Sequence, residues 1–73
     1  MGQAGFDKHQ LAGLDNRERG FSRPVEFQGE GDGYRASLRY EAVCVTTDVQ
    51  PTQDDALTLL IQTLHAQGYR QLK

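Results

Sequence analysis

Seventy-three residues allow one small domain, and eight basic against ten acidic side chains leave a net charge of −2 and a pI near 5.5. That balance argues against a chain held to nucleic acid mainly through phosphates, although it leaves room for a local basic patch. Cys44 is the single cysteine, so a disulfide within the chain is excluded, and no apolar run approaches the roughly 20 residues of a membrane span.

One unpaired cysteine without a signal peptide points to a reducing compartment, and a cytoplasmic location is expected. The start Met1-Gly2-Gln3-Ala4-Gly5-Phe6 fails the myristoylation pattern, because Phe6 stands where Ser or Thr is needed. Hydrophobic content of 37% is that of a folding chain. A core built from so few residues is small, and chains of this size often lean on a metal, a disulfide or a partner.

Residues 1–20 read as a flexible N-terminal arm, set apart from a single domain over 21–73. Asp7 to Leu14 has the makings of one or two helical turns, but Gly13 and the shortness of the segment argue against an independent helix. Phe6, Leu11 and Leu14 need cover if the arm is to be ordered. Phe21 to Gln28 reads as a strand with Val25 and Phe27 on one side and Glu26 on the other. Pro24 has no N–H for a ladder bond and belongs at the start of a strand or on an edge. Gly29-Glu30-Gly31-Asp32-Gly33 is a hairpin connection, with glycines where a turn needs positive φ. It lacks the ligand register of a calcium loop and the lysine of a phosphate loop.

Tyr34 to Thr47 reads as one long strand. Its even positions, Tyr34, Ala36, Leu38, Tyr40, Ala42 and Cys44, make an apolar face, and Arg35, Ser37, Arg39 and Glu41 make the polar one. Fourteen residues exceed the usual strand, so a bulge or bend is expected near Tyr40 to Ala42. Pro51 to Gly68 is an amphipathic helix. Thr52 is its N-cap, Asp54 and Asp55 sit at the positive end of its dipole, and Ala56, Leu57, Leu60, Ile61 and Leu64 form the buried stripe. Gly68 is the residue that stops it. Tyr69 to Lys73 then supplies a last strand, parallel to the second, lying beside either earlier strand. The expected fold is α+β, a two-layer sandwich of order β-β-α-β with a hairpin packed on one helix.

No catalytic residue, metal site or cofactor site is expected. Cys44, flanked by Val43 and Val45, reads as a core thiol; His9 and His65 read as surface residues; and no HxxxH, CxxC, HExxH or GxSxG spacing occurs. The chain is therefore read as a non-enzymatic binding domain that contacts another protein or a second copy of itself. Its candidate partner surface is Val43 and Val45, left over on the odd face of the long strand, with Leu59, Thr63 and Ala66 as a second apolar strip on the helix. Cover for the valines comes either from the N-terminal arm or from a second chain across a two-fold axis. The alternative is a nucleic-acid-binding module that uses Arg23, Arg35 and Arg39 on the sheet, unless Glu26 and Glu41 neutralise them.

A hairpin followed by Thr52-Gln53-Asp54-Asp55-Ala56-Leu57 resembles the strand–helix junction of several small folds, HicB-type antitoxins and double-stranded-RNA-binding domains among them. The resemblance covers six residues and implies a capped helix after a strand. No residue role follows from it.

Overall fold

In a computed structural model, which describes residues 9–73, four strands form one antiparallel meander with a single helix on one face. The strands are β1 (His9–Leu14), β2 (Gly20–Glu30), β3 (Gly33–Tyr40) and β4 (Val43–Thr46), in spatial order β1-β2-β3-β4, and the helix is α1 (Gln53–Ala66). Leu11, Phe21, Val25, Ala36, Leu38 and Val45 project from the sheet into the core, where Ala56, Leu60 and Leu64 of α1 and then Tyr69 meet them. Complete burial of a leucine such as Leu60 stabilises by about 1.5–3 kcal/mol, and this layer carries the fold.

Backbone geometry sets the register. Glu30 pairs with Gly33 across a two-residue turn in which Gly31 takes a φ of +61°, as the glycines of this hairpin predict. In such a hairpin, alternate residues of β2 turn their amides to β3, and those are the even ones. Pro24 is therefore the next residue that should donate to β3, and it has no N–H. The β2–β3 ladder stops at Val25↔Leu38. Pro24 is tolerated inside a central strand because β1 contacts it through a pair that exchanges no amide bond.

The helix begins and ends as its sequence dictates. Thr52 Oγ1 accepts the Asp55 N–H at 3.0 Å, and Asp54 and Asp55 lie in the first turn. At the other end Gly68, at φ +100°, lets the Gly68 N–H reach the His65 carbonyl and the Tyr69 N–H reach the Leu64 carbonyl. That pair of bonds closes the helix and turns Tyr69 back into the core beside Leu64.

Three expectations are corrected. The long strand over 34–47 is two strands. The chain reverses at Glu41-Ala42, with Glu41 at φ +54°, and pairs Leu38 with Val45 and Tyr40 with Val43. A two-residue reversal swaps parity: odd residues of β4 now share the face of even residues of β3. Val45 is consequently 7% exposed in the core, and Cys44, expected in the core, is exposed on the other face opposite Arg39. Second, residues 9–14 of the expected arm are β1 and not helical turns, paired with β2 from His9↔Val25 to Leu14↔Gly20. Phe6 and the rest of residues 1–8 lie outside the described residues. Third, the C-terminal segment joins no earlier strand of the expected hairpin. It lies against β1, where Arg70 exchanges two backbone bonds with Leu14 and Lys73 two with Ala12. It runs antiparallel to β3 as well, because β4 has already returned the chain to the start of β3 before α1 begins.

Both outer segments are bulged where a glycine receives them. Two residues, Gln71 and Leu72, oppose Gly13 alone, and Gln71 has φ +53°. A Cβ at Gly13 would stand 2.8 Å from the Arg70 carbonyl oxygen. On the far side, Thr47 bonds to Ala36 and Gln50 to Tyr34, so Asp48 and Val49 oppose Arg35 alone. A Cβ at Gly33 would stand 2.5 Å from both the Gln50 carbonyl oxygen and Val49 Cγ1.

Candidate functional site

The two sides of the sheet differ in how they end. Beside β1 the C-terminal segment takes up the outward amides. Beside β4 no further strand lies among the described residues. The Thr47 N–H to Ala36 bond fixes the alternation on β4. Val43 and Val45 turn their amides to β3, and Cys44 and Thr46 turn theirs outward. Val43 and Val49, at the two ends of this edge, are the exposed large apolar side chains among the described residues, at 41% and 38%.

The helix adds a flank to that edge. α1 starts after Gln50, which bridges Tyr34, and ends before Tyr69, whose ring lies 6.4 Å from that of Tyr40. It therefore runs along β3, packing on β3 and β4. Ile61 and His65, on one side of its buried stripe, share a shallow groove with Gln71 and Leu72 of the C-terminal segment. Leu59, Thr63 and Ala66 are on the opposite side, toward β4. Leu59 and Thr63 are half-buried and Ala66 is exposed, and the Thr63 hydroxyl donates to the Leu59 carbonyl at 2.8 Å. Of the five residues expected on a partner surface, four thus border one side of the molecule, and Val45 lies beneath them in the core.

The candidate arginines are not gathered in one place. Arg35 makes a two-bond pair with Glu30, at 2.9 and 3.1 Å, and donates to the Thr47 carbonyl. That hydrogen-bonded pairing holds the Glu30 carboxyl below its ordinary range. The expected counter-ions differ: Glu30, not Glu26, neutralises Arg35, and Glu41 pairs with Arg19 at 3.2 Å. Arg23 and Arg39 have no carboxylate within 4.0 Å among the described residues. With Pro24, Glu26 and Glu41 they line a shallow depression of about 340 Å³, where Pro24 opens the β2–β3 ladder. Arg23 also stands with its guanidinium carbon 6.0 Å from the centre of the Tyr40 ring.

One polar centre escaped the reading of the sequence. Asp15, 2% exposed, follows β1 and accepts the Arg17 and Arg19 amides on Oδ1, each at 2.8 Å, and the Tyr40 hydroxyl on Oδ2 at 2.8 Å. The Arg19 amide above all, with the Tyr40 and Arg17 bonds, holds its pKa down at about 2 against the opposing effect of burial. The same bond raises the pKa of Tyr40. Tyr40 packs against Phe21 in a tilted arrangement with ring centres 5.1 Å apart, so this carboxylate joins the β1–β2 turn to the end of β3. An Asp before Asn16-Arg17 is a turn signal in sequence, since its side chain can bond the amide two residues on; its tie to Tyr40 crosses 25 residues and has no local signature. Among the described residues, no three His, Cys, Asp or Glu side chains converge as metal ligands would.

Fold and surface define an α+β domain, a four-stranded antiparallel meander carrying one helix on one face. Comparison with known proteins finds no matching family, no matching curated protein and no matching solved structure. No described helix is long and apolar enough to cross a membrane.

Proposed function

We propose that this chain is a small non-enzymatic binding domain that acts through protein contact, and that its contact surface is the open edge of β4 with the adjoining flank of α1. One observation carries the reading: outward amides at Cys44 and Thr46 coincide with an uncharged border of Val43, Leu59, Thr63 and Ala66. An unpaired strand edge is a template for another chain, and native proteins blunt it with charge, proline, a bulge or shortness; the edge of β4 is short and ends at the Asp48–Val49 bulge. Within β4, Val-Cys-Val-Thr, there is no charge and no proline. A photo-crosslinking amino acid in place of Val43 should form adducts with protein in the expressing cell, whereas the same group in place of Ser22, on the solvated face, should not. Equal adducts from both positions, or none from Val43, would refute this reading.

The alternative is a nucleic-acid contact at Arg23 and Arg39, supported by the absence of a carboxylate partner for either among the described residues. Engagement of Arg35 by Glu30 and the Thr47 carbonyl leaves it two guanidinium groups instead of three. A salt-dependent gel shift of RNA or DNA that Arg39→Ala abolishes would favour this alternative.

A further inference from the structure

We infer that the partner at this surface is a second copy of the chain, joined through β4 in antiparallel register about a two-fold axis at Val45. The inference rests on the contact surface proposed above and adds the identity of the occupant and the register.

The backbone restricts the choice. An antiparallel seam needs outward-turned residues opposite outward-turned residues. On β4 these are Cys44 and Thr46. A two-fold centred on Val45 sets Cys44 against Thr46 of the second copy and Thr46 against its Cys44, and both outward residues of each strand are then used. Centring on Cys44 or on Thr46 leaves one of them facing a residue outside the strand. Centring between two residues sets an outward amide against an inward one.

Side chains agree with that register. On the core face, the row Leu38–Val45 continues into Val45 and Leu38 of the second copy, and exposed Val43 gains Thr47 of the second copy as a neighbour. On the other face, the row Arg39–Cys44 continues into Thr46 and Ser37 of the second copy, so no like charges meet at the seam. The carboxylates at the ends of the edge stay apart: Glu41 stands opposite Val49, and Asp48 opposite Ala42. The flank of Leu59, Thr63 and Ala66 lies on the same side as the seam, with Asp55 one turn before Leu59 at its N-terminal end. Strand β4 is four residues long and the bulge at Asp48–Val49 follows it, which limits the seam and makes the association concentration-dependent. Assembly closes at two, because the bulged C-terminal segment already covers the other edge of the sheet.

Light scattering of the full chain from micromolar to millimolar concentration tests this. The mass should rise from one chain to two and no further. Thr46→Lys puts a charge in the seam of each copy, next to Arg39, and should raise the dissociation constant at least about tenfold with an unchanged circular dichroism spectrum. Ser22→Lys, on the same face but on β2, should leave the constant unchanged, and Cys44→Ser should retain the dimer. A chain that stays monomeric at millimolar concentration, or a dimer indifferent to Thr46→Lys, overturns the inference. Adducts from position 43 with another protein, from a monomeric chain, overturn the second copy as occupant and leave the contact surface standing; no adducts at all overturn both.

Discussion

Gly33→Ala probes how the β4 side of the sheet is held. Gly33 is buried, and the added Cβ would lie 2.5 Å from the Gln50 carbonyl oxygen and from Val49 Cγ1. Ordinary contact begins at 3.4 Å, so the segment must retreat by about 0.9 Å, the difference of those two distances. Both Tyr34–Gln50 backbone bonds, each 2.8 Å long, then stretch or break. Two such bonds contribute about 1 kcal/mol each. Overpacking adds about 1–3 kcal/mol. Lower entropy of the unfolded chain returns about 0.4–1 kcal/mol. The net loss is about 2–4.6 kcal/mol, a large part of the roughly 4–11 kcal/mol expected for a domain of this length. With a urea dependence near 1 kcal/mol/M for so small a chain, the midpoint should fall by about 2 M or more. Amide exchange should speed up at Tyr34 and Gln50 before it does at Val25. Gly29→Ala is the control, since nothing lies within 4 Å of the place its methyl group would take, and it should be neutral or slightly stabilising. Equal midpoints for the two variants would refute the claim that the segment 47–50 is seated on Gly33.

Further outcomes follow from the caps, the buried carboxylate and the thiol. Thr52→Ala removes the acceptor of the Asp55 N–H and should cost about 0.5–2 kcal/mol by urea denaturation; an unchanged midpoint would mean that another group caps α1. Asp15 has its pKa lowered from 3.8 to about 2, so it contributes stability above pH 4 that is lost as the pH falls through 2. Asp15→Asn should flatten the loss of stability between pH 4 and 2, and a parallel pH profile in the two proteins would contradict this linkage. Cys44 is exposed, so a thiol reagent should modify it in native buffer nearly as fast as in denaturant, and slow native labelling would return it to the core.

The sequence announces features whose signals are local. Thr52, Asp55 and Gly68 mark the two ends of α1 within a few residues, and Ala56, Leu60 and Leu64 repeat every turn on its buried face. The Gly29–Gly33 turn and the Val25/Phe27 alternation place β2 and the hairpin in the same way. What escapes notice depends on residues far apart. Glu41-Ala42 reverses the chain without a glycine or asparagine, so Tyr34 to Thr47 keeps a strand's alternation straight through the turn. Missing that reversal puts Cys44 in the core and Val45 on the surface. Strand β1 hides behind Gly13, which looks like a breaker and is instead the place where the C-terminal segment approaches. Of the candidate surface, Leu59, Thr63 and Ala66 follow from helical spacing alone. That they face β4, and that the β4 edge lies open there, needs the full topology.

Pairing of two copies through the contact surface is tested most directly by amide exchange along β4 as the protein concentration rises. In the isolated chain, Val43 and Val45 donate to β3 and should be protected, while Cys44 and Thr46 point outward and should exchange freely. If β4 pairs with a second copy, protection at Cys44 and Thr46 should grow in step with the dimer fraction, and that at Ser22 should not change. Free exchange at Cys44 and Thr46 up to millimolar concentration would contradict pairing with a second copy through this edge.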